Sequence, residues 1–339
     1  MFNLKDLTLS ELTECIENFG EPKYKAKQIF SWLYKNIKSI DEMTDISKNL
    51  REKLKEIAYI STLEIEERYI SKKDETRKYL FRLPDGNYIE SVLMKYSYGY
   101  TICVSSQVGC RMGCRFCAST LNGKIRNLTP GEIADQIMYV SEDAGVKISN
   151  IVMMGIGEPF DNFENLLIFL ENITSENGIN IGMRHITVST CGIVDKIIEL
   201  ADKRLQLTLS ISLHASSDDV RSDIMPINKK YNISQLMKAC DYYIEKTNRR
   251  ISFEYTLISG VNDNLAEAEK LYRLLRGKLC HVNLIPVNQV SETGFRRSDK
   301  KSVDRFCRYL EDKGISATVR REMGSDINAA CGQLRNKKG

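Results

Sequence analysis

CVSSQVGCRMGCRFC, residues 103–117, carries four of the chain's ten cysteines in fifteen residues. Cys110, Cys114 and Cys117 are spaced C-x-x-x-C-x-x-C. Cys103 lies just upstream, at the end of a strand-like run. Three thiolates on one short loop can converge on one point, as a metal site requires. The loop also opens the main fold, because strand and helix alternate from here onward.

The expected strands are Thr101–Ser106, Asn150–Met154, His185–Thr190, Gln206–Leu213, Ile251–Leu257 and His281–Pro286. Helical patterns fall between them, at about 129–145, 161–175, 193–203, 232–247 and 264–277, with another at about 300–313 leading to Ser316–Arg321. Such alternation implies parallel β/α units joined by right-handed crossovers. Six units are too few for a closed eight-unit barrel. The expected class is therefore α/β, a partial (β/α)6 barrel, with a doubly wound sheet as the alternative. In both, functional groups gather at the C-terminal ends of the strands.

Upstream of the loop the period differs. Leu9, Leu12, Ile16 and Phe19 recur at helical spacing, and Gly20 and Pro22 end that pattern. Further helices are expected over Tyr24–Asn36, with the only tryptophan, Trp32, and over Lys48–Ala58. From Leu63 the residues alternate, and Lys78–Leu83 and Asn87–Lys95 flank the turn Pro84-Asp85-Gly86. The division expected is a helical accessory domain (1–62), a β-hairpin connecting segment (63–96), and a core (97–339).

The 339 residues are 42% hydrophobic and 28% charged, ordinary for a globular protein. No apolar run is long enough to cross a bilayer, and the start, MFNLKDLTLSELTE, has no apolar signal core. A cytoplasmic location without membrane contact is expected. In a reducing compartment ten cysteines are not a disulfide framework. Cys15, Cys240, Cys280 and Cys307, single in apolar patterns, read as buried small hydrophobes. The net charge of +4 points only weakly to nucleic acid. Basic clusters recur at Lys124–Arg126, Lys229–Lys230, Arg249–Arg250, Arg296–Arg297, Lys300–Lys301, Arg320–Arg321 and Arg335–Lys338.

Small or polar residues follow the strands: Gly155-Ile-Gly-Glu-Pro159, Ser189-Thr-Cys-Gly192, Ser210-Ile-Ser-Leu-His214 and Asn283-Leu-Ile-Pro-Val-Asn288. Folding alone does not require them there; a ligand-lined barrel mouth does. Structural zinc needs four ligands, usually as two pairs, and here one triplet has no second pair. A 4Fe–4S cluster fits better. Three cysteines leave one iron without a protein ligand, open to the amino and carboxylate groups of an amino-acid cofactor.

With Cys110, Cys114 and Cys117 after the first strand and Gly157-Glu158-Pro159 after the second, the chain resembles the radical S-adenosylmethionine superfamily. Within it, the closest likeness is to the RlmN/Cfr family of RNA methyltransferases. The likeness rests on Cys103-Val-Ser-Ser-Gln-Val-Gly-Cys110, Arg126-Asn-Leu-Thr129, Met154-Gly-Ile-Gly-Glu-Pro159, Ser212-Leu-His214, Met225-Pro-Ile-Asn228, Gly260-Val-Asn-Asp263, Asn283-Leu-Ile-Pro286 and Asp326-Ile-Asn-Ala-Ala-Cys-Gly-Gln-Leu334. It covers residues from about Glu90 to Leu334, and the family also carries a helical N-terminal accessory domain.

The resemblance implies that Cys110, Cys114 and Cys117 hold the 4Fe–4S cluster. It implies that Gly157, Glu158, Ser189, Ser212, Leu213, His214 and Asn288 contact S-adenosylmethionine, two molecules of which are used per turnover. Cys331 matches the cysteine that carries a methyl group, Cys103 the second catalytic cysteine, and Glu90 the proton acceptor. The implied reaction is methylation of carbon 2 of adenosine in 23S ribosomal RNA and in tRNA, at the purine 3′ to the anticodon. Flavodoxin or ferredoxin is the implied electron donor.

The chemistry is consistent with this pattern. Carbon 2 of adenine is electron-poor and is no nucleophile towards a sulfonium. A thiolate first takes the methyl group, and radical chemistry then places it on the ring. A transient Cys103–Cys331 disulfide would close the cycle.

Other readings stand beside these. Glu158 before a proline also suits a capping carboxylate, and His214 a hydrogen-bonded core histidine. Glu90 also suits an outward-facing strand position. Gly324, Ala329, Ala330 and Gly332 around Cys331 suggest a flexible loop. Cys191 stands where the family usually has serine, and Asn328 where it commonly has aspartate. Two rival functions remain: a Cfr-type methyltransferase acting on carbon 8, against which Pro159 argues because Cfr-like sequences tend to have alanine there, and a non-catalytic RNA-binding module, which would need no cluster.

Overall fold

The computed structural model describes residues 1–288, 290 and 294–335. The N-terminal segment pairs two short strands, β1 (Phe2–Asn3) and β2 (Ala58–Tyr59), around helices α1 (Leu9–Asn18), α2 (Tyr24–Leu33) and α3 (Lys48–Ile57). Thr8 and Glu11 close a capping box at the start of α1. Leu12, Ile16, Ile29, Phe30, Leu50 and Leu54 are buried in a small core of its own.

The rest is built on one ten-stranded sheet whose strands lie in chain order. It begins with β3 (Glu64–Ile70), β4 (Arg77–Arg82), β5 (Tyr88–Tyr96) and β6 (Gly99–Cys103), each antiparallel to the one before it. The expected turn joins β4 to β5, with Gly86 at φ 83° and Asp85 accepting from the Asn87 amide. These strands are continuous with the main sheet, because β5 pairs with β6 and sets Val92 opposite Cys103. The expected connecting hairpin is thus one flank of the barrel wall.

After β6 the cysteine loop departs, and a small ribbon of β7 (Gln107–Gly109) and β8 (Lys124–Asn127) closes its base. Then follow α4 (Pro130–Ala144), β9 (Ile148–Met153), α5 (Phe163–Thr174), β10 (Ile186–Thr190), α6 (Val194–Asp202), β11 (Thr208–Ser212), α7 (Asp218–Ile224), α8 (Ile233–Thr247), β12 (Ile251–Leu257), α9 (Leu265–Leu275), β13 (Cys280–Pro286), α10 (Lys300–Asp312) and β14 (Ala317–Val319). Strands β6 and β9–β13 are the six parallel strands expected, and β14 adds a short seventh. The two edges, β3 and β14, do not pair, so the barrel is open. Helix α7 was not legible in the periodicity.

The local chemistry explains these elements. α4 starts on a capping box, Thr129 with Glu132, has Pro130 in its first turn, and stops at Gly145 in the left-handed region. α8 starts on Asn232 with Gln235. Apolar strand positions such as Ile151, Val188, Leu209 and Phe253 are buried in the main core. In β12 the alternate positions are Ser252, Glu254 and Thr256. Their polarity marks the barrel interior as a lined space.

The two parts meet through buried polar contacts. Lys5 Nζ lies 2.5 Å from Asp135 Oδ1 on α4, and both side chains are fully buried. Ser61 Oγ donates to the other Asp135 oxygen at 2.9 Å, and the Gly131 amide donates to Asp6. No helix among the described residues is long and apolar enough to cross a membrane.

Candidate active site

The cysteine loop is held in place from three sides. The Cys110 amide donates to Gly123 O at 2.9 Å, the Arg115 amide to Ile224 O at 2.9 Å, and the Ala118 amide to Gly332 O at 2.8 Å. The loop is thereby tied to the ribbon, to α7 and to the C-terminal segment. Cys110, Cys114 and Cys117 all face a cavity of about 150 Å³ at the strand ends. Gly157, Glu158, Ser189, Ser212, His214, Asn288 and Cys331 line the same cavity. Of the residues implied for the cofactor, only Leu213 is absent from the lining. It is fully buried, with its amide donating to Glu254 O and its carbonyl accepting from Arg221.

Each lining group is set by a partner. A Cβ on Gly157 would lie 2.6 Å from Gln107 Cβ and 2.8 Å from Gln107 N, and φ is 105°. Only glycine permits that approach. Gln107 Oε1 in turn accepts the Glu158 amide at 2.9 Å. Glu158 does cap the turn that follows, accepting from Phe160 N at 3.0 Å, while its second oxygen accepts from Cys191 N at 2.7 Å. Burial raises its pKa, against the pull of these hydrogen bonds.

His214 sits at φ 56° with Nδ1 accepting from the Thr256 amide at 3.0 Å. The ring proton is therefore on Nε2. Burial, then the nearby Arg221 charge, push its pKa down to about 3, so it is neutral. Ser189 Oγ and Ser212 Oγ lie 3.5 Å apart.

The thiols are protonated in this environment. Burial pushes Cys110 up to about 12 and raises Cys114 and Cys117 as well. Such thiols ionise when a metal takes the place of the proton. Among the described residues no three Cys, His, Asp or Glu side chains gather around a single ion. A four-iron cluster makes a different demand, each thiolate binding its own iron. The donor set fits that cluster. Glu254 Oε2, buried in the same cavity wall, has no hydrogen-bond partner among the described residues, only the Arg320 guanidinium 3.7 Å away, so it can still accept from a polar ligand.

A second, smaller cavity of about 40 Å³ lies beside the first. Val92, Met94, Tyr96 and Cys103 line one side of it, and Ala329, Ala330 and Leu334 the other. Met154, Asn288, Arg320 and Cys331 belong to both cavities. Cys331 therefore faces Cys110, Cys114 and Cys117 on one side and Cys103 on the other. Cys103 is buried, which pushes its thiol up to about 12, and Cys331 adds to the rise. No disulfide joins the two. The Arg320 guanidinium faces both; its pKa is raised, first by Cys331.

The loop around Cys331 is well anchored. Asn288 Nδ2 donates to Cys331 O at 2.9 Å, Ser119 Oγ to Leu334 O at 2.7 Å, and Gly324 N to Asp74. Asp326 accepts from Ser71 and from the Lys72 amide. Asn328 adopts the left-handed conformation that asparagine tolerates, and its carbonyl accepts from Lys78. The glycines here serve turns within a tied segment, contrary to the flexible loop expected from composition.

Glu90 points inward, not outward. It is buried, on the same face of β5 as Val92 and Met94, with Lys78 Nζ at 3.2 Å and the Arg335 amide donating at 2.8 Å. It lines neither cavity, and the C-terminal segment covers it. Of the single cysteines, Cys240 and Cys307 are buried and Cys15 and Cys280 half-buried. Cys191, buried, shares the first cavity.

Several residues that build the site were missed in the sequence. Arg320 was counted only as surface charge, Gln107 only as part of a loop, and Glu254 only as part of a strand. Polar alternation through Ser252, Glu254 and Thr256 was the available signal for the last. Lys124 and Arg126, counted as a basic cluster, are committed to Asp161 and to Asp85 and Glu132. Of the basic tail, residues 336–338 lie outside the described residues.

Two family models match: the radical SAM superfamily over residues 104–275, and the ribosomal RNA large subunit methyltransferase N-terminal domain over residues 2–60. A probable dual-specificity RNA methyltransferase RlmN of Thermoanaerobacter sp. (strain X514) is 58% identical over 338 residues, covering 99% of this chain and 98% of that protein. The protein of the same name in Clostridium perfringens (strain SM101 / Type A) is 57% identical over 336 residues, covering 99% and 97%. Among solved structures, a radical SAM methyltransferase from Sphaerobacter thermophilus matches with TM-score 0.94 and 46% identity, over 99% of this chain and 100% of that one.

Proposed function

The chain belongs to the RlmN family of dual-specificity RNA methyltransferases, and from that membership we propose how its own residues methylate carbon 2 of adenosine in 23S ribosomal RNA and tRNA. The observation that carries the reading is the position of Cys331, which walls both the cavity of the three cluster thiols and the cavity of Cys103.

The 4Fe–4S cluster and S-adenosylmethionine, when bound, supply a methyl group and the radical chemistry that activates it. Cys110, Cys114 and Cys117 hold the cluster. Gly157 lets the backbone come close to the cofactor. Glu158, Ser189, Ser212, His214 and Asn288 surround it, and Leu213 supports the strand end behind them. His214, held neutral with its proton on Nε2, offers a donor and adds no charge.

Cys331 takes the methyl group on sulfur, its carbonyl fixed by Asn288 and its loop by Ala118 and Ser119. Arg320 lines both cavities and places positive charge beside Cys331 and Cys103. Joining the Cys331 methylene to carbon 2 and restoring the aromatic ring releases one electron, which returns to the bound cluster, and one proton, which Glu90 accepts with Lys78 paired to its carboxylate. Uncovering Glu90 requires the segment at Arg335 to move. Cys103 then attacks the Cys331 sulfur. A sulfur–sulfur bond forms, the sulfur–methylene bond breaks, and the methylene carbon takes up a proton to become the product methyl.

Residues 1–62, 63–96 and 97–339 are read as accessory domain, barrel flank and catalytic core. The substrate base must be unstacked to reach the cavity. A cytoplasmic location and a one-electron donor such as flavodoxin or ferredoxin complete the proposal.

The test is product analysis. Nuclease digests of 23S ribosomal RNA and tRNA, treated with anaerobically reconstituted protein, should contain 2-methyladenosine. Mainly 8-methyladenosine would move the chain to the carbon-8 branch. No methylation by cluster-loaded protein would favour the non-catalytic module.

A further inference from the structure

Arg221 is the largest fully buried side chain among the described residues. Its guanidinium donates from Nε to Leu213 O at 3.0 Å, from Nη1 to Asn228 Oδ1 at 3.0 Å, and from Nη2 to Cys191 O at 2.7 Å and Ser212 O at 3.1 Å. All four acceptors are neutral. Among the described residues, no carboxylate lies within 4.0 Å of it. Asp218, the carboxylate most strongly coupled to it, is bound to Asn228 and to the Ile233 amide. His214, close by, is neutral. A buried arginine stays protonated, and a buried charge without an anion is costly.

The place of Arg221 supplies the missing partner. It lies on α7, whose Ile224 carbonyl accepts the Arg115 amide of the cysteine loop. Burial lowers its pKa, and the nearby thiols of Cys191 and Cys114 pull the other way. Cys114, Cys191, Ile224 and Met225 share one buried cluster. Three thiolates around a four-iron core leave a net negative charge, which grows by one unit on reduction.

We infer that Arg221 is the built-in counter-charge of the iron–sulfur cluster, a positioning residue that stabilises the reduced state and raises the reduction potential. The inference rests on the cluster reading of Cys110, Cys114 and Cys117. It gives the arginine two coupled tasks. Its fork ties together the carbonyls at the ends of β10 and β11, and its charge faces the cluster loop from behind. A cation here favours the more negative oxidation state, so its removal makes the first electron harder to accept.

The experiment is a redox titration of the cluster by electron paramagnetic resonance. It compares full-length wild type, Arg221→Gln and Arg221→Lys, all reconstituted anaerobically, with iron and sulfide counted. Arg221→Gln should shift the reduction equilibrium at least tenfold towards the oxidised form, about 59 mV lower for a one-electron couple. Arg221→Lys, which keeps the charge but loses the fork, should stay within about twofold of wild type. A loaded Arg221→Gln protein with the wild-type potential overturns the inference, as does a lysine variant shifted as far as the glutamine one. If Arg221→Gln cannot hold the cluster, a loaded lysine variant at the wild-type potential supports the charge role. Loss of the cluster from both variants overturns it in favour of a purely structural peg. If wild type itself takes up no iron and sulfide, the cluster reading is what fails.

Discussion

Replacing Lys5 by methionine should detach the N-terminal helical segment from the barrel. The side chain has nearly the same length and no charge. In the native protein Lys5 Nζ sits 2.5 Å from Asp135 Oδ1 and 3.0 Å from Ser61 O, with both ionic side chains fully buried. Removing one member of a buried pair leaves the other charge uncompensated and costs about 3–5 kcal/mol. At roughly 2 °C per kcal/mol for a protein of this size, the unfolding midpoint should fall by about 6–10 °C. Burial already raises the Asp135 pKa, against the opposing pull of Lys5. Without the lysine it rises further. The folded state then binds a proton that the unfolded state releases, so stability falls as pH rises through the raised pKa. The deficit should be full at neutral pH and smaller in acid. Thermal unfolding followed by calorimetry, at pH 7.5 and 5, measures both effects. Lys5→Met combined with Asp135→Asn should recover much of the loss, because the uncompensated charge is gone. A single variant within about 1 kcal/mol of wild type at neutral pH, or a double variant no better than the single, refutes the reasoning. Cofactor cleavage should survive the substitution, because the cavity is built from residues 110–332.

Three further outcomes follow from the site. Cys103→Ala should stop after one turnover with RNA covalently attached through Cys331, seen as a shifted band on a denaturing gel; normal turnover would remove Cys103 from the mechanism. Glu90→Gln should lower the rate of product formation by about 10²–10⁴-fold while S-adenosylmethionine binding, measured by equilibrium dialysis, stays unchanged. A binding defect of equal size would instead assign Glu90 a structural part. Gly157→Ala should cost about 1–3 kcal/mol in backbone strain alone, and should displace Gln107 and with it Glu158. Cofactor affinity should therefore drop along with stability, and a variant with wild-type affinity would show that the close approach at Gly157 is not needed.

The candidate site was legible wherever chemistry is local. The C-x-x-x-C-x-x-C spacing placed three thiols on one loop, and strand–helix alternation put that loop and the polar strand ends on one face. Turn and cap signals marked Pro84-Asp85-Gly86 and the start of α4. Expected helices matched to within a few residues, because apolar periodicity and capping act over one or two turns. Helix α7 was missed because seven residues barely fill two turns. The pairing of the connecting hairpin with β6 was not legible, because it is set by register across the sheet, which no local pattern states. Composition also misread the segment around Cys331. Glycine and alanine allow mobility, but here Asp74, Ser71, Asn288 and Ser119 hold the backbone.

The residues alone determined which atoms can do chemistry: three thiols on one loop, two further cysteines, and a barrel with a polar mouth. Resemblance attached roles to them. The tertiary structure decided what faces what. It brought Cys331, from the far end of the chain, between the cluster cysteines and Cys103. It turned Glu90 inward against Lys78, sank Arg221 behind the cysteine loop without an anion, and aimed Glu254 into the cavity. These are contacts between residues tens to hundreds of positions apart. They depend on strand order, twist and side-chain packing, whereas a spacing or a period records only neighbours along the chain.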